Sequence, residues 1–282
     1  MKDIKVYAFA DEASPMIDNQ IDAMKRNCLD GLEIRNVDGT NVSDITLEKA
    51  VEVRKKLEAK GLSVWSVGSP VGKTDIDGDF DADIEGFKHI LEVTHTLGAE
   101  NIRIFSFYVP EDKNPDDYKN KVIDRLGQFA EMAVKSGITL CHENEKGIYG
   151  DTAKRCLDIL KAVPDIKAVF DPANFVQCGE DTFKAWNMLS DYIKYMHIKD
   201  AKTDGNVVPA GSGDGNIKEL IKRYVSDGGN VLTLEPHLAV FDGLAGLERE
   251  DENKNVGGIV FNSNDEAFDT ACLALKNILE VL

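Results

Sequence analysis

Residues 137–145 read Gly-Ile-Thr-Leu-Cys-His-Glu-Asn-Glu. Gly137 closes a helical pattern, as a residue needing φ > 0 does, a short apolar run follows, and the run ends on carboxylates. The same unit recurs in both directions from there. Short apolar or alternating runs lie at 5–10, 31–36, 63–69, 101–108, 139–145, 168–174, 193–199 and 231–237, which predicts eight strands. Amphipathic stretches separate them: Ile17, Ile21 and Met24, or Phe80, Ile84, Phe87 and Leu91, fall on one helical face at i, i+4, i+7 spacing. Gly61 and Gly98 punctuate as Gly137 does.

Strand starts recur roughly every 25 to 40 residues, the length that a strand, a loop and a crossover helix require. Eight such units predict an α/β protein with a single (β/α)8 TIM barrel, one domain over residues 1–282. An open dinucleotide-binding sheet would need fewer strands and an early GxGxxG, which is absent after the first run. The irregular stretch 239–264, with Glu248, Glu250, Asp251 and Glu252, follows the eighth run and precedes a last helix through Phe268, Cys272, Leu275 and Leu279. At that position an insertion is a lid over the mouth or a plain solvated loop.

Composition narrows the partners. The formal charge of −17 opposes a phosphate backbone, and no Lys/Arg stripe offsets it, so nucleic acid is not expected. A small anionic substrate is not excluded, because a metal ion and inward-facing basic groups dominate the potential inside a pocket. Five cysteines, Cys28, Cys141, Cys156, Cys178 and Cys272, lack CxxC spacing and fit reduced thiols. With no signal-peptide core and no apolar run long enough for a bilayer, the reading is a cytoplasmic protein with no membrane partner; a homo-oligomer stays open.

In a parallel barrel the chemistry is built from the C-terminal ends of strands. Those ends read His142-Glu143-Asn144-Glu145, Phe170-Asp171-Pro172-Ala173-Asn174, His197-Ile198-Lys199-Asp200 and Leu234-Glu235-Pro236-His237. One residue from each, Glu143, Asp171, His197 and Glu235, makes a set of three carboxylates and one imidazole that suits one divalent ion: Mn²⁺ first, then Mg²⁺, Co²⁺ or Zn²⁺. Taken singly, each residue fits an ion-paired strand end as well. Four on consecutive strands weigh against that reading, since three neighbouring buried carboxylates without a cation would cost several kcal/mol or force at least one to stay protonated.

With these motifs, and with Phe9-Ala10-Asp11-Glu12, Gly31-Leu32-Glu33-Ile34-Arg35 and Leu232-Thr233-Leu234-Glu235-Pro236, the sequence resembles the sugar phosphate isomerase/epimerase group of xylose isomerase-like barrels along nearly its whole length. The resemblance implies the fold and a metal site, and says little about the substrate. In sugar epimerases of that group the two metal-bound glutamates are also the acid/base pair, which maps to Glu143 and Glu235. Some carry a histidine three residues after the metal-binding aspartate. This chain has Asn174 there, which cannot relay a proton at neutral pH.

Strand geometry adds neighbours, because residues i and i+2 share a face. Arg35 falls beside Glu33, Glu145 beside Glu143, Lys199 beside His197 and His237 beside Glu235. Glu33 and Lys199 are the first candidates to grip substrate, with Arg35, Asn174 and His237 after them; Arg35 and Glu145 fit salt bridges equally well. His142 alternates out of the site and reads as structural, as do His89 and His95 on a helical pattern. Cys141 and Cys178 lack a partner base and read as buried thiols. The run Gly211-Ser212-Gly213-Asp214-Gly215-Asn216 stands where barrels often hold phosphate, but Asp214 would repel it and a glycine-rich turn explains the run too.

The expected reaction is isomerisation or epimerisation of a keto sugar, cyclitol or sugar phosphate. The metal chelates a carbonyl and hydroxyl, a glutamate takes the α-proton, and an enediolate is reprotonated. A hydride shift wants a second metal, and the strand ends supply ligands for one. A metal-dependent lyase or dehydratase on a keto-polyol starts with the same proton abstraction and is the alternative. An endonuclease of abasic DNA on this barrel would need more histidines than five and a basic surface. A non-catalytic, metal-stabilised binding subunit would not need the acid/base pair.

Overall fold

Each apolar run becomes a parallel strand and each amphipathic stretch a helix outside it. The computed structural model describes residues 4–241 and 259–282. Strands β1 (Lys5–Ala8), β2 (Gly31–Ile34), β3 (Ser63–Gly68), β4 (Asn101–Ile104), β5 (Thr139–Glu143), β6 (Ile166–Phe170), β7 (Ile193–Ile198) and β8 (Val231–Leu234) pair in that order, and β8 closes on β1. In the closing register Tyr7 stands against Thr233 and Thr233 against His197.

The outer layer is α1 (Ile17–Arg26), α2 (Leu47–Glu58), α3 (Phe80–Leu97), α4 (Lys119–Lys135), α5 (Ala153–Ala162), α6 (Pro172–Gln177), α7 (Thr182–Leu189), α8 (Ile217–Ser226) and α9 (Asn264–Leu279). Their ends follow local chemistry. Thr46 caps α2 by accepting from Lys49 N at 3.2 Å, and Ser263 caps α9 by accepting from Glu266 N at 3.1 Å; each cap contributes about 1 kcal/mol. Gly98 ends α3 at φ 76°, where a side chain would be strained. Ile17, Ile21 and Met24 are buried, as is Phe87, whose ring lies 4.8 Å from that of Phe129 on α4. Among the described residues, no helix is long and apolar enough to cross a membrane.

The strands stop earlier than their apolar runs. β4 ends at Ile104, and residues 105–108 turn away to pair with the loop after β3: Phe105 N donates to Val71 O at 2.8 Å and Phe107 N to Gly72 O at 2.7 Å. β6 ends at Phe170, because Pro172 starts α6 with Asp171 as its cap. β8 ends at Leu234, and His237 adopts φ 45°. Of the proposed lid 239–264, residues 242–258 lie outside the described residues; Phe241 before them is buried and α9 begins at Asn264 after them.

The barrel interior is layered. Tyr7, Trp65, Cys141, Val169, Tyr195 and Val231 form an apolar lower layer. Higher up, the Tyr195 hydroxyl donates to Glu33 Oε1 at 2.7 Å and lies 3.3 Å from Ser66 Oγ. Polar side chains from the strand ends occupy the mouth.

Candidate active site

The ends of β5 to β8 bring Glu143, Asp171, His197 and Glu235 together, with one ligand atom from each within 4.8 Å of the others. All four are buried. His197 Nδ1 stands 2.9 Å from Glu143 Oε1 and 3.5 Å from Glu235 Oε2, while its Nε2 faces Glu33 Oε2 at 3.1 Å. Asp171 divides its carboxylate. Oδ1 accepts from Asn174 N at 2.9 Å and caps α6, whereas Oδ2 accepts no hydrogen bond although Lys199 Nζ is 3.0 Å away. Asn144 ties β5 to β6 by donating to Asp171 O at 2.9 Å and accepting from Asp171 N at 3.0 Å.

A ring of cations surrounds the four. Arg103 Nη1 donates to Glu143 Oε2 at 2.7 Å. Lys199 Nζ donates to Glu235 Oε2 at 2.8 Å. Arg35 holds Asp11 in a two-point pair (2.9 and 3.1 Å) and reaches Glu12 at 3.3 Å and Glu235 Oε1 at 3.4 Å. Six buried carboxylates, Asp11, Glu12, Glu33, Glu143, Asp171 and Glu235, thus face the three buried cations Arg35, Arg103 and Lys199.

That excess of negative charge shapes the ionisation. Burial opposes the charge of His197, but Glu143 and Glu33 outweigh it and hold the imidazole pKa well above its ordinary value. Burial would raise Glu143, yet His197 and Arg103 bring it down to about 2. Glu235 is likewise held well below the ordinary range, burial being outweighed by Lys199 and His237. For Asp171 burial, helped by the Glu235 and Glu143 charges, outweighs Lys199: its pKa is pushed up to about 7. The donor set fits a divalent ion on the structure's own terms. Three carboxylates and an imidazole converge, one buried carboxylate oxygen is left without a hydrogen bond, and the second imidazole nitrogen is oriented by a carboxylate as metal-binding histidines are.

Other expected residues fall at varied distances from this centre. Glu33 lies beneath the cluster rather than at its mouth, with both oxygens engaged by Tyr195 and His197. Arg35 stands one residue past the end of β2 and points its guanidinium to Asp11, Glu12 and Glu235. Asn174 reaches the site edge, donating to Asn144 O at 2.9 Å and standing 3.4 Å from Glu143 Oε1. Lys199 is central. His237 Nε2 is 3.6 Å from Glu235 Oε1 and 3.4 Å from Glu12 Oε1. Glu145 leaves the cluster to pair with Lys73 at 3.2 Å, because β5 has ended and strict alternation no longer applies.

Glu12, Glu235 and His237 also converge as three ligand-type groups. The Arg35 guanidinium already faces the same Glu12 and Glu235 oxygens, so this corner is neutralised by an arginine and a second divalent ion there would meet its repulsion. Nor is the glycine run a phosphate cradle. The amides of Gly211, Gly213 and Gly215 all donate to the Asp200 carboxylate, at 2.8, 2.9 and 2.9 Å. A Cβ on Gly213 would meet Asp200 Oδ1 at 2.5 Å, so the residue type serves that internal anion.

His142 is buried outside the cluster, and burial pushes its pKa down to about 4. His89 Nε2 lies 2.9 Å from Ile45 O within the outer layer, and Cys141 is a buried thiol whose pKa burial raises. Arg103, Asp11 and Glu12 are the site residues that strand-end reading does not single out. Period two along β4 puts Arg103 on the face of Asn101, but β4 supplies no ligand to draw notice to it.

A family model described as xylose isomerase-like TIM barrel matches residues 21–253. No curated protein matches the sequence significantly. Among solved structures, D-psicose 3-epimerase with D-tagatose from Clostridium cellulolyticum H10 superposes with a TM-score of 0.76 at 16% identity, covering 99% of each chain. An IolI protein with a binding zinc atom gives the same TM-score, 0.76, at 16% identity and 99% of each chain. The probable 3-DHS dehydratase AsbF of Bacillus anthracis, involved in petrobactin synthesis, gives 0.73 at 17% identity over 97% of this chain and 99% of its own. At such identities the likeness is one of fold.

Proposed function

We propose that this chain, which belongs to the xylose isomerase-like TIM barrel family, is a metal-dependent isomerase or epimerase of a keto sugar, cyclitol or sugar phosphate. The observation that carries the reading is the cluster itself: two glutamates from non-adjacent strands, Glu143 and Glu235, flank His197, and each is paired with buried cations, Glu143 with Arg103 and Glu235 with Lys199 and Arg35. Glu143, Asp171, His197 and Glu235 would hold the ion, with Mn²⁺ the best match to three oxygen donors and one nitrogen. Such an ion supplies Lewis-acid polarisation of a carbonyl and charge stabilisation beside it.

The chain's own groups do the rest. One glutamate takes the proton α to the carbonyl and the other returns a proton from its side of the axis. Arg103 and Lys199 keep the two carboxylates ionised and aimed until then. Asn144 and Asn174 fix the β5 and β6 ends so that Glu143 and Asp171 keep their spacing. Lys199, Asn174 and His237 are the groups we assign to substrate oxygens, and Glu33 and Arg35 serve the ligands from inside.

A panel of ketoses, inosose-type ketones and their phosphates, assayed for deuterium exchange from solvent at the α-carbon, tests this. Exchange with formation of an isomer on at least one member is expected. Exchange with loss of water instead would mean the dehydratase reading, since elimination begins with the same proton abstraction. No metal-dependent exchange on any member would count against both.

A further inference from the structure

Rings and cations alternate across the barrel mouth. Arg35 Cζ lies 4.8 Å from the centre of the Phe241 ring and 4.4 Å from that of Phe9. Arg103 Cζ lies 5.5 Å from the centre of that same Phe9 ring and 4.3 Å from Phe105, and Lys73 Nζ follows at 4.4 Å from Phe105. Phe9 therefore serves both buried arginines. It also meets the His197 ring edge-on, with centroids 5.3 Å apart and planes at 84°. Phe9 is fully buried just beyond β1, and its backbone N–H donates to Leu234 O at 3.0 Å, one residue before Glu235.

We propose that Phe9 is a positioning residue for the paired glutamates: its ring keeps Arg35 directed to Glu235 and Arg103 to Glu143, and so sets the spacing across which a proton leaves and returns. This rests on the reading of Glu143 and Glu235 as the acid/base pair. Two guanidinium groups of like charge share a small buried space here, and a ring quadrupole attracts both where an aliphatic side chain attracts neither. Arg103 Nε has no hydrogen-bond partner, so the guanidinium's aim depends on its bond to Glu143 and on the rings beside it. Gly68 is part of the device. A Cβ there would come within 2.6 Å of Phe9 Cε1 and 3.2 Å of Arg103 Nη2, so only glycine leaves the ring and the guanidinium room on β3.

Two variants change the ring or its position while every candidate ligand and every charged residue is kept. Phe9→Leu removes the face, and Gly68→Ala pushes the ring aside. Magnesium-loaded protein would be measured for kcat and KM on the ketose or inosose of the panel above that exchanges fastest, for bound metal, and for the side-chain ¹⁵Nε–H resonances of Arg35 and Arg103, with Arg155, whose Nε donates to Tyr149 O at 2.8 Å, as the internal control. The expected result is kcat lower by about tenfold or more with KM within about twofold. Metal content should be unchanged, and the Arg35 and Arg103 resonances shifted or exchanging faster with solvent while Arg155 stays. Should Phe9→Leu fail to fold, Gly68→Ala carries the test through the Arg35 resonance, since its methyl would press on Arg103 directly but reach Arg35 only through the Phe9 ring. Arginine resonances unmoved in the folded variants, arginines displaced with kcat intact, or activity falling only in step with metal would overturn the proposal. If the Glu→Gln variants described below turn over normally, the acid/base reading fails by itself, and the resonances still report whether Phe9 orients the arginines.

Discussion

His197 Nε2 stands 3.1 Å from Glu33 Oε2, and Glu33 is held in turn by the Tyr195 hydroxyl at 2.7 Å. A chain from the barrel interior thus fixes which imidazole nitrogen faces the ligands: Nε2 donates inward, leaving Nδ1 for the cluster. Orienting carboxylates of this kind are worth about 10- to 100-fold in metal affinity. Glu33→Gln should weaken divalent-ion binding by about tenfold or more at unchanged stoichiometry, read by competition against a chromophoric chelator. An unchanged affinity would mean that Glu33 is only a buried salt-bridge partner.

Acid stability should carry the signature of His142. Burial pushes its pKa from 6.5 down to about 4, so in the folded state it stays neutral where the unfolded chain binds a proton. The stability from this group is complete above pH 6.5 and lost as pH falls towards 4, a change on the order of 3 kcal/mol. Denaturant unfolding of wild type and His142→Asn across that range checks it: the variant's stability should depend less steeply on pH.

Asp200 accepts three backbone amides from the glycine run. Asp200→Ala leaves them without an acceptor and should lower unfolding stability by roughly 3 kcal/mol, seen as a reduced denaturant midpoint, while ion affinity changes little. Stability within experimental error of wild type would contradict this account of the run.

The fold was legible because its signals are local: apolar period, glycine punctuation and strand-start spacing agree from Lys5 to Leu234. Strand ends were less so. The run 168–174 begins apolar and reads as one strand, yet Pro172 and the Asp171 cap turn its second half into helix, and the loss of alternation beyond β5 sends Glu145 to Lys73. The four ligand candidates were legible for the same reason as the fold, since parallel strands deliver their last residues to one mouth. Asp11 and Glu12 were not, being held there by Arg35 from another strand, and neither was Phe9, whose role depends on two arginines distant in sequence.

Elemental analysis of protein purified without added metal should find about one equivalent of a divalent ion, and His197→Ala should lose most of it while keeping the fold. Under a tenth of an equivalent, with no binding on titration, would remove the metal from the account.

Movement of the α-proton by Glu143 and Glu235 is read by solvent deuterium exchange and turnover in Glu143→Gln and Glu235→Gln, each with metal content measured. Glutamine keeps a ligand oxygen but cannot take the proton, so each variant should lose about 10²-fold or more in kcat while retaining more metal than activity. One of them should still exchange the α-proton from its intact side without completing product. Near-normal turnover in both variants with metal bound would exclude them as the acid/base pair, leaving the glutamates as ligands only and Lys199 or His237 as the proton carrier.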